Sequence, residues 1–137
     1  MTPRMKSTLN IVLWVVQALL ALGYLNAGFL KTFRPIQEIA PTIFWVPSVP
    51  ETLVRIIGVS ELLGAVGLNL PALLKIRPQL TTLAAAALSL VMVLANIFHI
   101  ARGEFFVLPM AGLFLVLDAF VAYGRWKWSP IAPKNAN

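Results

Sequence analysis

From position 9 to position 30 the chain runs LNIVLWVVQALLALGYLNAGFL, twenty-two residues without a formal charge. At roughly 1.5 Å per helical residue this run crosses a hydrocarbon core about 30 Å thick, so it reads as a membrane-spanning helix. Three more stretches follow the same logic. Residues 53–70 end at Pro71 and carry Arg55 near the start and Glu61 near the middle. Residues 80–101 close with His99, Arg102 and Gly103. Residues 106–124 hold Pro109 in the first turn, where amides lack intrahelical partners anyway. Four helices with short connections predict an all-α membrane protein, an up-down four-transmembrane-helix bundle forming a single domain over residues 1–137.

Composition agrees. Hydrophobic residues make up 59% and charged ones 12%, and the mean hydropathy is +0.84, outside the range of soluble domains. Eleven bases against five acids give a net charge of +6, too thin a supply for the dense basic face of a nucleic-acid binder. With no cysteine there is no disulfide, thiolate nucleophile or cysteine-held metal cluster.

Arg4 and Lys6 precede the first apolar run in the manner of a signal peptide, but the run is long and no small-x-small cleavage site follows, so it is expected to be retained. Arg4, Lys6, Lys75, Arg77, Arg125, Lys127 and Lys134 fall at the N-terminus, the connection between spans two and three, and the C-terminus. Lys31, Arg34, Arg55 and Arg102 fall on the other side with Glu38, Glu51 and Glu104. The positive-inside bias therefore predicts cytoplasmic termini, with the Gly124-Arg125-Trp126-Lys127-Trp128 run anchoring the last helix at the headgroups. Between the first two spans, Pro35, Pro41, Pro47 and Pro50 surround Ile43-Phe44-Trp45-Val46 and forbid one continuous helix. Short pieces lying at the interface as a cap over the outer mouth are expected, anchored by Phe44 and Trp45 or acting as a lid.

An ionisable group inside a span must face the bundle interior, find a partner or neutralise. On the first helix Gln17, Tyr24 and Lys31 recur every seven residues and share a face with Gly28. Gly58, Glu61 and Ala65 form a small-residue stripe holding one carboxylate, and Asn96, His99 and Arg102 form a polar stripe on the third helix. Counted in helical rise, Glu61 lies roughly 13 Å and Asn96 roughly 8 Å below the outer ends of their helices, with His99 and Lys31 nearer the surface. Glu61 and His99 are therefore candidate acid–base residues in an outer-half pocket. Lys31, Asn96 and Tyr24 are candidate binding residues, and Arg55 and Arg102 stand at its mouth. Burial favours the neutral forms of carboxylate and imidazole while a nearby cation favours the ionised carboxylate, a balance suited to proton exchange. The alternative use of the same groups is structural, with Lys31 or Arg55 paired to Glu61, and Asn96 and His99 fixing helix register. Asp118 counts to the level of Gln17, where it can bond Gln17 or Tyr123 or act as a proton relay. Trp14, Phe98, Phe114 and Phe120 read as packing or lipid-facing residues. One histidine with a carboxylate is not a convergent metal-ligand set unless two subunits pool ligands, and a lone histidine is a weak case for haem.

The segments 27–31 (AGFLK), 55–68 (RIIGVSELLGAVGL), 98–104 (FHIARGE) and 120–125 (FVAYGR) resemble those of the DoxX-like small membrane proteins. The likeness covers roughly residues 9–126 and rests on G-x-x-K, R-x-x-G-x-x-E-L-x-G and H-x-x-x-G-E occurring in that order. It implies a bacterial inner-membrane protein of four helices and singles out Lys31, Glu61 and His99. Relatives under the DoxX name are linked with thiosulfate oxidation through quinone and with membrane oxidoreductase complexes, so the resemblance implies a redox or quinone setting. Two functions follow as expectations. The bundle binds a small lipophilic molecule, quinone-like, with a membrane oxidoreductase as partner. Alternatively it is a non-catalytic assembly subunit, docking on a partner or on another copy of itself through the stripes Gly58/Ala65 and Gly64/Gly67/Leu68. Transport is the least supported reading, and a lipid-acting isomerase or hydrolase using the same acid–base pair stays open.

Overall fold

A computed structural model describes residues 1–135. The chain forms α1 (Pro3–Phe33), a short α2 (Ile36–Ile39), α3 (Glu51–Leu74), α4 (Gln79–Ala101) and α5 (Leu108–Tyr123). Single 3₁₀ turns occupy Val46–Ser48 and Phe105–Val107, and a π-helical turn, Gly124–Trp128, continues α5. α1, α3, α4 and the α5 unit are each long and apolar enough to cross a membrane. They alternate in direction, which leaves both termini at one end of the bundle, the terminal end, and the 34–50 segment at the other, the cap end.

The expected spans are all present, and each is longer than its apolar run. α1 starts at Pro3 because Thr2 caps it, its side-chain oxygen accepting from Met5 N–H at 3.2 Å. It ends where Arg34, forced extended by Pro35, leaves helical geometry. α3 does not stop at Pro71 as expected. It continues through that proline to Leu74 and closes on Lys75, whose left-handed conformation (φ 54°) turns its N–H back to the Pro71 carbonyl. Helices longer than the hydrocarbon place their polar ends beyond it, which is why counting apolar residues finds each span and underestimates its length.

Two clusters hold the molecule together. Leu13, Leu20, Tyr24, Ala65, Leu68, Leu88 and Val121 form the bundle core, while Ile39, Val46 and Val54 form a smaller core under the 34–50 segment. α1 and α3 approach most closely where Gly28 faces Gly58. A Cβ on Gly58 would lie 2.8 Å from Lys31 Cβ, and one on Gly28 would lie 2.9 Å from the Gly58 carbonyl oxygen. The outside of the bundle is apolar, with Leu22, Leu63, Leu83 and Phe106 all more than half exposed, whereas Gln17, Lys31, Glu61, Thr81, His99, Asp118 and Arg125 are buried. Only a lipid solvent tolerates that inversion along four helices.

Candidate functional site

The Gly28–Gly58 crossing brings α1 and α3 together one turn from Lys31 and Glu61, and it delivers one side chain to the other. Lys31 Nζ donates to Glu61 Oε1 at 2.7 Å, with 9% and 3% of the two side chains exposed. Glu61 Oε2 is buried without a hydrogen-bond partner among the described residues. Arg55, expected at the mouth, is fastened to the end of α1. It donates to the Lys31 and Arg34 carbonyls at 2.8 and 2.7 Å and pairs with Glu51, so a cation answers the carbonyls left open at that helix C-terminus.

The 34–50 segment covers this pair. Lys31 Nζ sits 5.5 Å from the centre of the Trp45 ring, a cation–π contact. Trp45 meets Phe98 edge-on, and Phe44 packs against both His99 and Phe106. His99 is buried and its Nδ1 lies 3.2 Å from Glu104 Oε1, which also accepts from Arg102 Nε at 2.7 Å. Arg102 reaches Ser48 of the cap and lies over Phe98. The Arg102 guanidinium, with help from His99, holds the Glu104 carboxyl below the usual carboxylate range.

Other expectations are corrected. Asp118 does not pair with Gln17 or with Tyr123, which is 47% exposed. It accepts a short hydrogen bond from the Tyr24 hydroxyl, seven residues nearer the cap end along α1 than Gln17. Tyr24 therefore belongs to a central Tyr24–Asp118 pair rather than to the cap-end cluster, although Glu61 is within its electrostatic reach. Asn96 donates to the Met92 carbonyl of its own helix at 2.7 Å. Gln17 instead binds the Leu68 carbonyl and accepts from Arg125 Nε at 2.6 Å. Arg125, read from sequence as a headgroup anchor, is only 3% exposed and also holds Asn10 and Ser129. The expected docking stripes are used inside the bundle, since Gly58 packs on α1, and Gly64 and Gly67 face Leu88 and Ala84 of α4.

α1 thus sets Asn10, Gln17, Tyr24 and Lys31 seven residues apart on one face, each bonded to another part of the bundle. Asn10, Glu104 and Arg125 were missed as interior or site residues. The sevenfold spacing that includes Asn10, and the matching interval between Asp118 and Arg125, were signals that could have found two of them.

Four spanning helices around a polar interior define an integral membrane bundle. A sequence model of the DoxX-like family matches residues 15–121, and the chain belongs to that family. No curated protein and no solved structure gives a significant match.

Proposed function

We propose that this protein binds a small lipophilic molecule bearing hydrogen-bonding oxygens, quinone-like in chemistry, at the cap end of the bundle. The observation that carries the reading is the buried Lys31–Glu61 pair, whose Oε2 has no partner among the described residues and whose Lys31 lies against Trp45, one ring of an aromatic cluster with Phe44, Phe98 and His99. Desolvated charge left partly unsatisfied is costly to keep and is a frequent mark of a working site. Lys31 supplies a donor to a carbonyl-type oxygen, Glu61 and His99 give and take protons, and the aromatic rings offer flat faces to a ring. Two surface grooves lie elsewhere, at the terminal end; at the cap end a ring enters by displacing Trp45 from Lys31, which makes the cap a lid. Having no redox-active thiols of its own, the chain supplies binding and protons, while electrons come from a membrane oxidoreductase partner. The setting we infer is the bacterial inner membrane, termini inside, where the bundle meets such partners or copies of itself.

The assembly reading is weaker because the stripes it relied on are already filled by neighbouring helices. The test is native mass spectrometry with an ultraviolet–visible spectrum of protein purified in mild detergent, comparing wild type with Glu61→Gln and His99→Ala. A stoichiometric small molecule that both folded variants lose is the expected result. Wild type free of ligand, with variants that merely fold poorly, would turn attention to a structural role.

A further inference from the structure

At the terminal end, away from the cap, a groove of about 420 Å³ opens between the start of α4 and the tail that follows the π-turn. Its walls are mostly apolar, from Leu83, Ala86, Trp126, Ile131 and nearby prolines, and Arg125 borders it. Arg125 is an unusual neighbour for such a groove. Its bonded partners Gln17, Asn10 and Ser129 are all neutral, and its Nη2 has no partner among the described residues. No Asp or Glu occurs in residues 1–37, 62–103 or 119–137, so the nearest acid along the chain, Asp118, is two helical turns away and is occupied by Tyr24.

The surroundings add charge of the same sign. Lys127 Nζ lies 4.1 Å from the centre of the Trp126 ring, and the backbone N–H of Lys134 donates to the Lys75 carbonyl at 2.8 Å. That bond ties the basic tail to the Lys75–Arg77 turn. A buried cation that faces the Trp14 ring at 5.1 Å and has no acidic partner among the described residues, with exposed bases around it, gives a positive potential that low-dielectric walls concentrate. The apolar wall opens sideways beside Leu83, which is 63% exposed on the lipid-facing surface.

We infer that this groove binds an anionic phospholipid, its phosphate drawn to the field of Arg125 and Lys127 and one acyl chain lying against Leu83, Ala86 and Trp126. A soluble anion would use the charge and leave the apolar wall in water. A zwitterionic lipid would use the wall and leave the cation unanswered. An anionic lipid satisfies both and is already present in the solvent that surrounds the helix.

The full chain is reconstituted in phosphatidylcholine bilayers containing acyl-brominated phosphatidylglycerol, or brominated phosphatidylcholine in its place. Quenching of Trp126 is taken by difference from Trp126→Phe. The expected result is saturable quenching with the anionic lipid preferred at least about fivefold, the factor one basic residue contributes at a membrane surface, and no displacement by excess inorganic phosphate. Arg125→Gln lowers the preference by about fivefold. Ala86→Phe, at an exposed position that leaves every charge in place, abolishes saturation and keeps the inference testable if Arg125→Gln fails to fold. Equal quenching by both lipids, displacement by inorganic phosphate, or an Ala86→Phe variant that behaves as wild type would each overturn it.

Discussion

The cap end and the terminal end of this bundle each bury a cation, and they answer it differently. At the cap end Lys31 meets Glu61, and Arg102 and His99 meet Glu104. At the terminal end Arg125 is held by amides, a hydroxyl and a backbone carbonyl. A closed ion pair is neutral overall and makes removal of either member severe, because the survivor is stranded in a low dielectric. A cation held by dipoles strands no opposite charge when removed, and while present it projects an unanswered field. One end is built for an internal balance that a polar ligand can disturb, the other for attraction of something negative from outside.

Lys31→Met tests the contrast most strongly. Leaving Glu61 buried and unpaired is expected to cost about 3–5 kcal/mol, read as a shift in the detergent-denaturation midpoint followed by helix content, and the double change with Glu61→Leu recovers most of it. Arg125→Met is expected to cost about 1–3 kcal/mol, the loss of a donor to Gln17 and Asn10. Equal losses at the two sites would erase the distinction. Tyr24→Phe removes the one hydrogen bond made to the Asp118 side chain among the described residues and is expected to cost about 1–2 kcal/mol in the same assay.

The cap has a pH signature on the acid side. Glu104 titrates below its ordinary value in the folded protein, chiefly through Arg102, so its contribution is in place above the ordinary carboxylate range near pH ~4 and is lost as pH falls through the lowered value. Trp45 fluorescence, taken by difference from Trp45→Phe, should change as pH falls through the acid end of that range. Glu104→Gln should abolish the transition. The smallest effect is expected from Asn96→Ala, within about 0.5 kcal/mol of wild type, since among the described residues its side chain bonds only to the Met92 carbonyl of its own helix.

Much of this was legible from apolar runs and from the rarity of charge within them. The four spans, Lys31 as one of two candidate partners for Glu61 in the outer half and the proline-broken connection follow from helical rise and the cost of burial. What was not legible was register between distant helices. Counting from the ends of the apolar runs placed Asp118 opposite Gln17, although both helices run past those ends, to Pro3 and to Trp128. The correct pairing needed two intervals compared, seven residues from Gln17 to Tyr24 and seven from Asp118 to Arg125, which fixes an antiparallel alignment. Arg125 was misread because basic residues beside tryptophan usually mark headgroup depth, although it follows Asp118 by seven residues and so shares its inward face.

The polar face of α1 also sets a timetable for biosynthesis. Lys31 waits thirty residues of translation for Glu61, but Tyr24 waits ninety-four for Asp118 and Gln17 one hundred and eight for Arg125. At roughly 5–20 residues per second, the nascent first helix holds Asn10 and Tyr24 without their partners, and Gln17 with its Leu68 bond alone, for several seconds before the last helix is made. A ribosome stalled after α3 would therefore release a chain whose cap-end pair is complete and whose remaining polar residues on α1 face no partner from α5, a ready substrate for membrane quality control.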